Sequence, residues 1–218
     1  MSDTPKPNSW EVPPPAAPAT DDYLASVTIG ERAPLNARVE LAPYDPEWPS
    51  LFELAAGRIR TALGGNALVL EHVGSTSVPG LSAKPIIDMV LAVANSADEG
   101  AYVPRLEAEG FVLRIREPEW FEHRMLLRAS GVQVWQLHVF SADCEEIARM
   151  VAFRNWLRTH EADRLLYETT KAALAAKTWT HVANYADAKS EVVREILMRA
   201  IGSAADKRIA DVPGSTSS

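Results

Sequence analysis

Apolar residues fall along this chain in distinct rhythms, and each rhythm predicts an element. Continuous apolar runs at Ala67–Leu70 and Ile86–Val93 predict buried strands, where alternation is not needed. Phe111–Arg116 predicts a further strand, broken by Glu117-Pro118-Glu119-Trp120. His123–Ala129 and Val132–Phe140, separated by Ser130-Gly131, predict an antiparallel hairpin. In its second strand Val132, Val134, Gln136 and His138 share one face, and Gln133, Trp135, Leu137 and Val139 the other. Ala37–Leu41 reads as a short alternating strand. Helical spacing of Leu51, Leu54, Ala55, Ile59 and Leu63 predicts a helix with Asp45 as cap and Pro46 as first residue, stopped at Gly64-Gly65. Further helices are expected over 97–108, 144–159, 161–177 and from 181 to about 201.

The ends differ in texture. Residues 1–36 hold Pro5, Pro7, Pro13, Pro14, Pro15, Pro18 and Pro34 with few large aliphatics, which predicts a disordered tail. Within it, Tyr23–Gly30 is the part suited to docking on the domain. Residues 203–218, rich in Ser, Ala and Gly, are expected to form a flexible tail. One domain, 37–202, is left between them. With 47% hydrophobic residues among 218, it can bury one sizeable core. The net charge of −7 argues against non-specific nucleic-acid binding, which needs a basic surface. A lone cysteine, Cys144, excludes an internal disulfide and suits a reducing, cytoplasmic location. No apolar run is long enough to span a bilayer, and no membrane association is expected.

Candidate chemistry concentrates between the two apolar runs. Gly74 and Ser75 let backbone N–H groups approach an anion, and the Ser75, Thr76 and Ser77 hydroxyls add donors. Asp88, near the start of an otherwise apolar strand, must be paired, hydrated or holding a metal, because burying it alone costs several kcal/mol. Lys84 stands beside it in sequence. The same stretch also reads as a tight crossover with a hydrogen-bonded Asp.

His72-Val73-Gly74-Ser75-Thr76-Ser77-Val78-Pro79-Gly80-Leu81, followed by Ala83-Lys84-Pro85-Ile86-Ile87-Asp88, resembles the signature of the GrpB-like family, assigned to the nucleotidyltransferase superfamily of DNA polymerase β type. The Tyr44-Asp45-Pro46-Glu47-Trp48-Pro49 entry and the Phe153-Arg154-Asn155-Trp156-Leu157-Arg158 run are similar to that family as well. Two departures stand out. Val90 occupies the position of the superfamily's second carboxylate, and Gln136-Leu137-His138-Val139 replaces a His-Leu-His-Val run.

The resemblance implies an α+β fold: a nucleotidyltransferase-like mixed sheet flanked by helices, with a C-terminal helical section. It also implies Mg²⁺-dependent transfer of a nucleotidyl group from a nucleoside triphosphate to an unidentified acceptor. Asp88 is then the catalytic and metal-binding residue, with Gly74, Ser75, Thr76 and Lys84 around the phosphates. His138 fits three roles: ligand, phosphate contact or core histidine. Tyr167/Lys171 and Tyr185/Lys189 are each spaced i,i+4 on one helical face. Arg154, Lys171 and Lys189 are expected to converge and neutralise a triphosphate. The rival readings are a catalytically silent nucleotide-binding module and an interaction or adaptor protein on the same fold.

Overall fold

Five strands form one mixed sheet in the order β1-β2-β5-β4-β3. They are β1 (Val69–Val73), β2 (Ile86–Val93), β3 (Val112–Glu117), β4 (His123–Ser130) and β5 (Gln133–Ser141). The computed structural model describes residues 12, 19–32 and 35–210, with side chains up to 203. Only the β2–β5 pairing is parallel; the other three are antiparallel. The predicted mixed α/β architecture with a C-terminal helical region is therefore what the chain adopts.

Register decides which side chains meet which helices. Ile87, Met89, Leu91 and Val93 of β2 join Trp135, Leu137 and Val139 of β5 on one face. There they pack with Trp48, Phe52 and Ile59 of α2 (Trp48–Leu63) and Val103 and Leu106 of α3 (Val103–Ala108). Fully burying each such side chain contributes roughly 1.5–3 kcal/mol. The face assignment read from β5 holds, except that Val132 sits in the hairpin turn and is 97% exposed.

The other face carries Asp88, Val90, Gln136, His138 and Phe140. Val73, Val90, Ala92 and Phe140 bury against Ile147 of α4 (Glu145–Thr159). α5 (Glu161–Ala175) and α7 (Ser190–Ala210) close on α4 through Leu157, Tyr167, Val192 and Ile196, with Val78 and Leu81 of the β1–β2 connection beneath them. That packing sets two helices over the loop in which the candidate residues lie.

Several boundaries differ from the pattern reading, each for a local reason. Ala37–Leu41 makes no strand: Ala37 forms an isolated bridge with Trp179, Ala42 just beyond it another with Ala83, and Val39 packs on Ala175 and Tyr185. Asp45 accepts from the Glu47 N–H at 2.8 Å and shapes a turn, so α2 begins at Trp48 with Pro49 in its first turn. The 97–108 segment is a 3-10 turn followed by α3, because Pro104 can stand only at a helix start. The last expected helix divides into α6 (Val182–Asp187) and α7. Between them the Ser190 hydroxyl donates to the Asp187 carbonyl at 2.6 Å, a local bond that competes with the helical ladder. α7 then runs past residue 202 to Ala210; 211–218 lie outside the described residues.

Part of the Pro-rich segment expected to be disordered carries structure. Thr20 caps α1 (Asp21–Val27), accepting from the Tyr23 N–H. α1 is tied at both ends of the fold: the Tyr23 hydroxyl donates to Glu117 at 2.6 Å, Asp21 faces His181 at 2.8 Å, and Asn184 donates to the Ala19 carbonyl. These long-range polar ties hold a helix in which only Val27 is buried. The docking piece expected around Tyr23–Gly30 is thus in place; residues 1–11, 13–18 and 33–34 lie outside the described residues.

Candidate functional site

β1 ends at Val73, and Gly74 turns the chain with φ +69° and ψ −173°, a conformation open in practice to glycine alone. Ser75–Ser77 follow as one 3-10 turn. Three of the four local hydroxyls are spent on holding this turn and its continuation. Ser77 Oγ donates to the Gly74 carbonyl at 2.6 Å, and Thr76 Oγ1 donates to the Ile86 carbonyl at 3.0 Å while meeting His72 Nε2 at 3.1 Å. Ser82 Oγ donates to Glu168 at 2.7 Å. Thr76 is therefore turned into the interior and not toward a ligand. His72 is stacked on Phe52, and burial pulls its imidazole down to about 4.

Ser75 differs. Its Oγ lies 2.8 Å from Nζ of Lys171, which crosses from α5 and also donates to the Ser82 carbonyl. Lys171 is 2% exposed, and Ser75 keeps partial access to solvent. Below them, Asp88 pairs with Val73 across the β1–β2 ladder and with Gln136 across β2–β5. Lys84, Lys189 and Lys171 all act on Asp88 through space, yet the groups crowding its carboxylate strip enough hydration to push it up to about 6. Burial, reinforced by Lys189, lowers Lys171 to about 7, and burial lowers Lys189 to about 8 despite Asp88 and Asp187. Burial also pulls Lys84 below the usual lysine range. Three amines around one carboxylate make a locally cationic site in a chain of net charge −7.

The two expected Tyr–Lys pairs are present. Lys171 Nζ stands 5.1 Å from the Tyr167 ring centroid and Lys189 Nζ 4.4 Å from that of Tyr185. Tyr167 and Tyr185 are both buried, and among the described residues Tyr185 Oη has no hydrogen-bond partner. Gly74, Ser75, Lys84, Asp88, Lys171 and Lys189 thus come together.

Besides Thr76, two further expected members do not. Arg154 donates from Nη1 to Glu71 and to the His72 carbonyl, both at 2.7 Å, so it clamps β1 instead of joining the lysines. Arg158, one helical turn on, clamps the Ser77 carbonyl in the same way. His138 shares the sheet face of Asp88 but sits opposite Val90, one step further along β2. Its Nδ1 meets His123 Nε2 at 3.0 Å, and His123 Nδ1 meets Glu117 at 2.6 Å. Burial and His123 hold His138 down at about 3, so it is neutral at ordinary pH.

Mg²⁺, implied by the resemblance, is a poor match for these side chains alone. Glu71 on the neighbouring strand is engaged by Arg154, and Val90 is wholly buried. Among the described residues no three His, Cys, Asp or Glu side chains gather to hold a metal ion. One carboxylate among three amines does not fit a divalent cation held by the protein alone.

Sequence spacing missed Glu117–His123, the Arg158 clamp and the Glu168–Ser82 tie. Only Arg158 had a signal, its i,i+4 spacing from Arg154; the other partners meet through the fold.

Comparison with known proteins agrees with this architecture. The family described as "GrpB protein" matches residues 38–199. The UPF0157 protein BH1888 of Halalkalibacterium halodurans is 54% identical over 185 residues, covering 85% of this chain and 94% of its own length. The crystal structure of conserved protein GrpB from Enterococcus faecalis superposes with a TM-score of 0.65 at 30% identity, over 76% of this chain and 99% of that one. A dephospho-CoA kinase of Mycolicibacterium paratuberculosis is 38% identical over 86 residues, 38% of this chain and 21% of the kinase. Among the described residues no helix is long and apolar enough to cross a membrane. With the family match spanning the whole sheet and the helices over it, the chain belongs to the GrpB family, whose fold is related to that of the nucleotidyltransferases.

Proposed function

We propose that the Ser75–Asp88 site binds the phosphates of a nucleoside triphosphate and transfers the nucleotidyl group to a second substrate. The observation that carries this reading is the meeting of Lys84, Lys171 and Lys189 at one half-buried carboxylate beside the Gly74-Ser75 turn. Such a cluster is costly unless an anion completes it: burial depresses the protonation of each amine, Lys189 adds to this at Lys171 and Lys84, and a triphosphate favours the charged forms of Lys84 and Lys189. The partial match to a protein named as a kinase is in keeping with a phosphorylated ligand.

In this reading the lysines neutralise the triphosphate and orient it, and the Ser75 and Thr76 amides, first in their turn, are free of intrahelical acceptors. Asp88, raised to about 6, accepts the proton of an incoming hydroxyl. A Mg²⁺ ion accompanying the triphosphate would find Asp88 as its carboxylate here and would supply charge neutralisation, and no step depends on it. Binding without turnover is the second reading, favoured by the wholly buried Val90 where a second carboxylate would stand.

The test is calorimetric titration with ATP, GTP, CTP and UTP, with and without Mg²⁺, followed by assay of pyrophosphate release. Saturable binding of at least one nucleotide, weakened about tenfold or more by Lys189→Ala, is expected. No binding under any of these conditions would overturn the reading, and binding with no pyrophosphate release would select the silent module.

A further inference from the structure

The hydroxyls of the β1–β2 connection are not equivalent, and the difference concerns reactivity. Thr76, Ser77 and Ser82 each donate to a fixed acceptor, the Ile86 carbonyl, the Gly74 carbonyl and Glu168. Ser75 alone is paired with an amine, and that amine is almost completely removed from solvent. We propose that Ser75 is a nucleophile with Lys171 as its general base, so that the site forms a covalent phosphoryl-type ester on Ser75 Oγ. The class of its natural substrate, a nucleoside triphosphate, rests on the phosphate-site reading above; the nucleophile itself does not.

A Ser–Lys pair requires a lysine that is neutral near physiological pH and within hydrogen-bond reach of the hydroxyl. The 2.8 Å separation supplies the reach. The charged and titratable groups facing Lys171 are Lys189 beside α7, Lys84 on the β1–β2 connection, Asp88 on β2, and Glu168 and Tyr167 on its own helix. Glu168 and Asp88 favour the ammonium, but burial and the two lysines outweigh them and bring Lys171 to about 7. When neutral, Lys171 still donates to the Ser82 carbonyl and offers its lone pair to Ser75.

The step balances as follows. Ser75 Oγ forms a bond to the α-phosphorus while the bond from that phosphorus to pyrophosphate breaks, and pyrophosphate leaves with the electron pair. The hydroxyl proton passes to Lys171 Nζ, which holds it as the ammonium. A second hydroxyl, deprotonated by Asp88, then displaces Ser75 Oγ, which takes a proton back from Lys171.

A serine-directed fluorophosphonate tests the nucleophile without any nucleotide, since Ser75 displaces fluoride in the same manner. The full-length protein is labelled between pH 5.5 and 9 and the site mapped by peptide mass spectrometry. One adduct on Ser75 is expected, at a rate rising through a single ionisation near pH 7 and absent in Ser75→Ala. Lys171→Arg keeps the cation and its hydrogen bonds but cannot deprotonate. It is expected to slow labelling by about 100-fold or more, as loss of a general base does. Circular dichroism checks that each variant is folded, and Lys171→Met provides a second, uncharged replacement. No adduct on Ser75, or wild-type labelling rates in Lys171→Arg, would overturn the proposal. Labelling that ATP, GTP, CTP and UTP all fail to slow would leave the nucleophile standing and count against the nucleotide site. Nucleotide binding without any Ser75 adduct would do the reverse.

Discussion

Gly74 stands directly against the side chain of Asp88. A Cβ placed at Gly74 would lie 2.9 Å from the Cβ and 3.0 Å from the Cγ of Asp88, and closer still to Oδ2. The turn that presents Ser75 and the carboxylate in the apolar strand are therefore one fitted unit, with no room for a side chain between them. Gly74→Ala must shift Asp88 and adopt a φ that suits glycine alone, a strain of about 1–3 kcal/mol. We expect the thermal midpoint to fall by several degrees, at about 2–4 °C per kcal/mol, and nucleotide affinity to fall with it. A variant as stable and as competent as wild type in calorimetry would contradict the fit.

Asp88 gives a pH dependence of definite sign. Its carboxyl is raised from 3.8 to about 6, so between those values the folded chain holds more protons than the unfolded one. The contribution is full below about 4 and lost as pH rises through 6. Asp88→Asn removes the group, so the variant should gain on wild type across that window, by about 1–2 kcal/mol after allowing for residual solvent contact. Urea unfolding of both proteins from pH 4 to 7 checks this; a constant difference would mean the carboxylate is not so strongly desolvated.

Lys171 has the opposite sign. Lowered from 10.5 to about 7, it binds fewer protons folded than unfolded above neutrality. Wild type should therefore gain stability relative to Lys171→Met as pH rises from about 7 toward 10. Chemical denaturation in that range, with no change in the difference, would show a lysine that stays charged.

Arg154 is expected to behave as structure. Arg154→Ala leaves Glu71 and the His72 carbonyl without their partner, at a cost of about 1–3 kcal/mol. Nucleotide affinity at fixed salt should change less than about threefold in the folded protein. A tenfold loss of affinity with unchanged stability would return Arg154 to the phosphate site.

How much of this was legible in the sequence depends on the range of the partner. The Ile86–Val93 run and the alternation of β5 specify the strands and their faces, because burial acts on every second residue or on all of them. The Tyr167/Lys171 pair was legible because both partners lie on one helix face; Lys189 keeps the i,i+4 spacing but meets Tyr185 from the turn between α6 and α7, not from one helical face as expected. The partner of Arg154 was not: Glu71 is 83 positions away, and nothing in the Phe153–Arg158 run distinguishes a clamp from a phosphate ligand. α1 was hidden for the same reason, since its hold on Glu117 and His181 is polar and distant while proline content dominates the local signal. The meeting of Lys171 with Ser75, 96 positions apart, needed a family resemblance to be expected at all.

Three amines around Asp88 form the proposed anion site for a triphosphate. Calorimetric titration of wild type, Lys189→Ala and Lys84→Ala with the best-bound nucleotide, at two salt concentrations, tests it most directly. Saturable one-site binding is expected in wild type, with about a tenfold or greater loss in each variant and a weaker salt dependence once a cation is removed. Equal affinity in all three proteins, or no heat of binding in wild type with any nucleotide, would contradict it.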